Sequence, residues 1–403
     1  MKHHLTRRDL LRISAATALG GSALGALAAC ANTGTVLGPG PSPTGSGVSA
    51  GQAIAALDAV VLAKLPTANA VSAGAYIDGV QVERNYAFGV PTATYTSQTV
   101  YGIGSNTKVF TATLLALQCV GSTPPKSLDD GVAQYLPAGV LQNGHAILDV
   151  TLRDLATHTA SFPDFVSIET DDTLFVGQPP PADQTQWWTD WDNAHQEPGS
   201  TNPCLTHPPG TCWNYSDWGF ITLGFAVAND NLTAGATYSD LLASQVTQPL
   251  GMPKTGANVP LDVQGHTAGG VVVTVPPPDL KSNVDDLMRF LRATLGALPG
   301  VPSHLNDALL FTRALQWNGA DHGDAHDDMG LAWQLPPPKQ AGDPPLVWKN
   351  GEASGFTSFL GMLPSLRTAV AILTNTDAAN PTAAGTAFLD QIATIDLPTI
   401  SPS

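Results

Sequence analysis

The sequence predicts an α+β fold, an α/β sandwich whose antiparallel sheet is assembled from both chain ends and flanked by helices. A mainly helical lobe is inserted between the two sheet-forming parts. Three observations carry this reading. An amphipathic helix and two strand-like runs joined by Asp78-Gly79 come first. A loop-rich middle with helical segments follows, and strands with one helix close the chain. The 403 residues, 43% hydrophobic and 12% charged, suffice for one large core. A formal net charge of −16 has the wrong sign for a nucleic-acid partner.

Along the chain, Ile54, Leu57, Val61 and Leu62 recur at helical spacing over residues 51–65. Residues 71–77 and 80–88 read as strands of a hairpin. Residues 151–157 read as a short helix capped by Thr151. Residues 164–211 read as irregular, with Trp187, Trp188 and Trp191 packing the inserted lobe. Residues 218–229 and 238–246 are expected to be helical, as is the closing segment 381–395. Strands are expected near 269–275, 330–334, 356–363 and 368–373.

The N-terminus reads as an address. Thr6-Arg7-Arg8-Asp9-Leu10-Leu11 resembles a twin-arginine consensus, and Leu27-Ala28-Ala29-Cys30 resembles a lipoprotein cleavage box. Residues 1–29 are then an export signal, Cys30 carries lipid, and residues 30–49 form a Gly/Ser/Pro tether. The catalytic domain is expected over 50–398, with the helical lobe at about 125–260. This predicts an exported, membrane-anchored lipoprotein, periplasmic or at the cell surface, with a monomeric body. Cys204 and Cys212 bracket "CLTHPPGTC" and are expected to bridge, the alternative being that all cysteines are reduced. Cys119 lies in an apolar helix and reads as a buried free thiol.

Chemistry concentrates in three places. Ser105 and Lys108 stand three apart where "YGIGSNTK" runs into an apolar helix, so their side chains share a face. A lysine in that setting needs an anionic partner or a lowered pKa, and an amine beside a serine hydroxyl can activate it as a nucleophile. The plain alternative is a capping serine and a snorkelling lysine. In "PPGTCWNYSDWGF", Tyr215 precedes a helix and can aim its phenol into a cleft, with Asp217 either in the site or capping that helix. In "VWKNGEASGF", Lys349, Asn350 and Gly351 are expected on an edge strand, offering a cation and a close backbone approach to substrate. The backbone N–H groups of Ser105 and Glu352 can form an oxyanion pair.

In order and spacing these pieces resemble the penicillin-recognising serine hydrolases, specifically the class C β-lactamase-like branch with AmpH-like DD-peptidases and family VIII esterases. The resemblance spans roughly residues 50–393 and includes "DLATHTASFP" and "VTQPLGMPKT". It implies a β-lactamase/transpeptidase-like fold, with Ser105 as acylated nucleophile, Lys108 as activating amine and Tyr215 as general base and acid. Asp217 takes the usual Asn place and Lys349 the Lys/His place of the third motif. Two departures bear on substrate choice. An ionised Asp217 cannot donate to a substrate carbonyl as an amide does, and it would pair with Lys108 instead. Glu352 adds negative charge beside the expected carboxylate pocket.

The resemblance implies a hydrolase acting on a β-lactam or peptidoglycan-type peptide, without a cofactor. The rivals are an esterase of the same fold and a non-hydrolysing penicillin-binding sensor. His322 and His326 in "ADHGDAHDDMG" stand four apart, but the glycine and the missing apolar face favour a solvated loop over a metal site.

Overall fold

The computed structural model describes residues 48–66, 68–88, 95–122, 125–135, 149–162, 164, 203–228, 236–267, 272–273 and 279–394. Among these, the strands are β1 Ala70–Ile77, β2 Val80–Ala87, β3 Tyr101–Gly102, β4 Gly265–His266, β5 Val272–Val273, β6 Lys281–Ser282, β7 Asp328–Met329, β8 Gln334–Leu335, β9 Val347–Ala353, β10 Phe356–Leu363 and β11 Thr368–Thr374. The helices are α1 Ala50–Lys64, α2 Thr107–Val120, α3 Leu152–Ala156, α4 Asp217–Ala228, α5 Tyr238–Leu242, α6 Gln248–Leu250, α7 Val284–Thr294, α8 Ser303–Thr312 and α9 Pro381–Ala393.

Local signals explain most boundaries. Ser49 and Gln52 close a capping box at the start of α1, and Thr151 and Asp154 do the same for α3. Asp78 and Gly79 both take positive φ, 39° and 101°, as a two-residue hairpin matching strand twist requires. Asn380 caps α9 and Pro381 opens it, where its missing N–H has no cost.

The main sheet runs β2-β1-β11-β10-β9-β8-β7, antiparallel throughout. Chain ends meet at its centre, where β1 pairs with β11 from Val71↔Thr374 to Ile77↔Thr368. Strands β1, β10 and β11 are buried at every position because helices cover both faces. On one face Val71, Ala73, Ile77, Phe359 and Ile372 pack with Leu57 of α1 and Phe388 of α9. The other face, with Tyr76, Leu360, Met362 and Leu373, shares a core with α2, α4, α5 and α7. Each buried Leu, Ile or Phe contributes about 1.5–3 kcal/mol, so this layering dominates the stability.

Two expectations need correction. Strand β9 is not the sheet edge, since β8 and β7 lie beyond it. Strand β8 reaches β9 only through Gln334↔Trp348, however, so Lys349 onward has no ladder partner there. Residues 330–334 do not form one strand. Ala332 takes φ 65° and its N–H donates to the Ala156 carbonyl at 2.8 Å, which turns the chain into the core between β7 and β8. Of the 269–275 strand only Val272–Val273 lies within the described residues.

The feature that positions the site is the contact between β9 and the 3-10 turn Gly104–Asn106. A Cβ on Gly351 would stand 2.0 Å from the Ile103 carbonyl oxygen, and one on Gly104, at φ 52°, would stand 2.6 Å from the Glu352 nitrogen. Only glycine permits both approaches. Gly351→Ala should therefore destabilise the protein by about 1–3 kcal/mol, read as a lowered Tm, and depress activity further by moving β9 off the turn. Unchanged Tm and activity would refute that close contact.

Candidate active site

The turn carrying Ser105 is held from three sides. Ile103 N–H donates to the Leu280 carbonyl at 3.1 Å, following the short β3–β6 ladder. Ser358 Oγ donates to the Ile103 carbonyl at 2.7 Å, and Asn106 Nδ2 donates to Ser358 Oγ at 2.8 Å. Thr107 Oγ1 accepts the Leu280 N–H at 3.0 Å where α2 begins. Ser105 is half-buried at the mouth, and Lys108, one turn on, is wholly buried.

The segment with Tyr215 and Asp217 arrives from the helical part. The Cys204–Cys212 disulfide, with Cα atoms 5.4 Å apart, closes the preceding loop. Gly210 N–H bonds the Thr159 carbonyl and Asn214 N–H the His158 carbonyl, both at 2.8 Å. Ser216 N–H donates to His158 Nδ1 at 3.1 Å. Ser216 Oγ accepts the Gly219 N–H at 2.8 Å and so supplies the side-chain cap at the start of α4. Asp217 is thereby released from capping, and its carboxylate meets Lys108 in a direct ion pair.

The side chains converge on one oxygen. Ser105 Oγ lies 2.5 Å from Tyr215 Oη and accepts from Lys108 Nζ at 3.1 Å. Tyr215 Oη also donates to Asp217 Oδ1 at 3.3 Å, which leaves a phenol lone pair directed at the serine hydroxyl. Lys349 is 2% exposed, and its Nζ sits 4.9 Å from the Tyr215 ring centroid, with Lys108 Nζ at 5.0 Å. Asn350 is half-buried, Gly351 is buried against the turn, and the Glu352 backbone abuts Gly104.

The electrostatics differ between the two lysines. Burial works against the Lys108 charge, but Asp217, with Tyr215 and Asp279, outweighs it, so the ammonium is held above its ordinary pKa. Burial and then the nearby Lys108 pull Lys349 down to about 7, only partly offset by Asp217 and Asp164. Burial raises the Tyr215 phenol and Asp217 adds to that, against the pull of Lys108. At neutral pH the resting site therefore holds a fixed ammonium, a neutral phenol and a lysine near its titration midpoint.

Other candidates fall elsewhere. His326 stacks on Trp213 with centroids 3.4 Å apart, and His322 stacks on Trp317 at 5.6 Å. Cys119 is a half-buried free thiol, and burial pushes it up to about 11. Cys30, Trp187, Trp188 and Trp191 lie outside the described residues. A cavity of about 640 Å³, lined by Thr96, Lys254, Asp262, His266 and Asn375 among others, contains none of the site side chains. Sequence reasoning missed Ser358, Asn106 and His158 as supports of the site. The first two act across more than 250 positions, and no spacing rule connects them.

Comparison with known proteins shows the family and the fold. The family model described as "Beta-lactamase" matches residues 61–394. The D-alanyl-D-alanine-carboxypeptidase/endopeptidase AmpH of Escherichia coli K12 is 27% identical over 280 residues, covering 66% of this chain and 68% of the relative. A beta-lactamase of Psychrobacter immobilis is 25% identical over 317 residues, covering 69% and 71%. A class C beta-lactamase structure superimposes with a TM-score of 0.70 at 19% identity, covering 86% of this chain and 98% of that one, which is evidence of shared fold. The chain belongs to the beta-lactamase family of penicillin-recognising serine hydrolases.

Proposed function

We propose that the protein is an exported serine acyl-hydrolase of the β-lactamase/D-alanyl-D-alanine carboxypeptidase type that forms an acyl-enzyme on Ser105. The observation that carries this is the convergence on Ser105 Oγ of Tyr215 Oη at 2.5 Å and Lys108 Nζ at 3.1 Å. Both groups lie within hydrogen-bond reach of the nucleophile, as proton transfer requires. Lys108, kept charged by Asp217, is poorly suited to accept a proton, so Tyr215 Oη takes the serine proton as it passes its own to Asp217 Oδ1, and Lys108 stabilises the Ser105 oxygen left behind. The Ser105 and Glu352 N–H groups receive the carbonyl oxygen as charge develops, each worth about 3 kcal/mol of barrier. Asn350 and Gly351 line the strand against which an amide or lactam substrate lies.

Ser105→Ala should leave Tm within about 1 °C while abolishing acylation, because the side chain is half-buried and carries little packing. Intact mass after exposure to a β-lactam, an acyl-D-Ala-D-Ala peptide and a short ester reads this directly. A stable adduct or wild-type turnover in the variant would remove Ser105 as nucleophile. The same measurement on protein from membranes of the producing cell should find diacyl lipid on Cys30. An N-terminal peptide without lipid would overturn the anchor and leave the chemistry untouched.

Lys349 gives a pH dependence. Its ammonium is present below about 7 and is lost as pH rises through that value. kcat/KM reports the free enzyme, so it should fall above about pH 7 for a substrate bearing a carboxylate. A neutral ester should lack this limb. Lys349→Arg, which cannot lose its charge, should carry the carboxylate substrate's activity to higher pH. Parallel profiles for the two substrates would exclude Lys349 as carboxylate partner.

Asp217 sets selectivity in this proposal. Asp217→Asn supplies an N–H₂ donor toward an amide or lactam carbonyl and, by removing the acidic partner of Lys108, lets burial drive that amine neutral so that it takes the serine proton in place of Tyr215. Transition-state contacts of this type are worth on the order of 1–3 kcal/mol, so amide-type substrates should gain roughly ten- to hundredfold in kcat/KM. A short ester, which needs less positioning, should change by far less. Equal changes in both classes would argue against it.

A further inference from the structure

We propose that His158 is the positioning residue of Tyr215, holding the phenol on Ser105 through hydrogen bonds to both of its chain neighbours. This rests on the reading of Tyr215 as the proton acceptor of the serine. The His158 carbonyl accepts the Asn214 N–H at 2.8 Å, and His158 Nδ1 accepts the Ser216 N–H at 3.1 Å. One residue thus fixes the backbone immediately before and after Tyr215. The imidazole also packs on the Tyr215 ring with centroids 4.5 Å apart, and on Phe220 at 4.8 Å. Phenol direction is therefore constrained from both sides along the chain and from one face of the ring.

Three further features separate this from ordinary core packing. His158 holds φ 61°, a left-handed conformation that is uncommon outside glycine and collects at functional sites. It is 2% exposed, and its Nε2 is buried with no hydrogen-bond partner among the described residues. An apolar side chain would fill the space without that orphaned atom. What the imidazole adds is the acceptor at Nδ1. That acceptor exists only in the neutral ring with its proton on Nε2, since an imidazolium donates from both nitrogens. Burial, then Lys349, Lys108 and His326, hold the His158 pKa well below its ordinary value, which keeps the acceptor available at neutral pH.

Two substitutions test this. An asparagine side chain places its Oδ1 near the position of Nδ1 and tolerates left-handed backbone, so His158→Asn retains the acceptor. His158→Leu fills similar volume and removes it. With a short ester and a chromogenic cephalosporin, assayed well below the Tm of each protein, His158→Leu should lower kcat about ten- to hundredfold with KM within about threefold, as expected when a catalytic group is displaced by a fraction of an ångström to an ångström. His158→Asn should stay within about fivefold of wild type. A fluorophosphonate probe of Ser105 should label wild type and His158→Asn at similar rates and His158→Leu more slowly. Equal losses in both variants, or a loss that scales only with the folded fraction, would overturn the role of the acceptor, as would undiminished labelling of His158→Leu. If wild-type Ser105 itself fails to label, it is the acyl-hydrolase reading that falls, and the two failures are distinct.

Discussion

The structure depends on the buried pair between Lys108 and Asp217. Lys108 enters a helix buried from Thr107 to Gln118, with 1% of its own side chain exposed, and an isolated ammonium there would be strongly destabilising. Asp217 reaches it from the first residue of α4, more than a hundred positions away. The ion pair therefore ties the helix beneath the sheet to the segment delivered from the helical part of the chain. It also fixes the site's protonation pattern. With one ammonium held charged, a second lysine close by is forced down, and Lys349 is the one that yields because Asp217 and Asp164 offset its surroundings only partly.

In the proposed mechanism this arrangement divides labour differently from a site in which the lysine beside the serine is free to act as base. The ammonium of Lys108 donates to Ser105 Oγ and orients it. The phenol of Tyr215, with its own O–H directed to Asp217, presents a lone pair to the serine proton. Lys349, pulled down to about 7, is the group whose charge changes near neutral pH, and the proposal sets it against a substrate carboxylate. Substrate anion and Lys349 protonation are then thermodynamically linked, since binding the anion favours the charged amine. On that reading Glu352 and Asp164 would oppose the anion, so a neutral ester and a charged peptide would meet different fields at the site.

Much of this was legible in the chain. Ser105 and Lys108 declare themselves because helical spacing forces them together, and the Asp78-Gly79 hairpin and the Thr151 cap follow from local chemistry. The pairing of β1 with β11, joining the two chain ends, follows from the order of elements and the need to cover both sheet faces. The rest was hidden because it is tertiary. Asp217 reads equally well as a helix cap or an ion-pair partner, and only the cap supplied by Ser216 decides between them. The place of β9 within the sheet hinged on two-residue strands too short to leave a periodic signal. His158 sits in a stretch visible as part of the family resemblance, yet its grip on residues 214 and 216 depends on a left-handed backbone angle that sequence does not announce.

The glycines at 104 and 351 show how packing becomes chemistry here. Strand β9 and the serine turn approach so closely that neither contact position tolerates a Cβ, and the approach is locked by Ser358 bridging Ile103 and Asn106. That lock sets the backbone of Glu352 against Gly104, the residue before Ser105. The proposed oxyanion pair, made from backbone groups, has no rotamer to adjust, so its geometry is only as good as the packing beneath it. The ion pair, by contrast, is made of side chains, and altering one charge changes the protonation of the other. On the proposed reading, the protein keeps its electrophile-binding geometry in rigid backbone and its substrate discrimination in the side chains of Asp217, Lys349 and Glu352, of which Asp217 is also the partner of the buried Lys108.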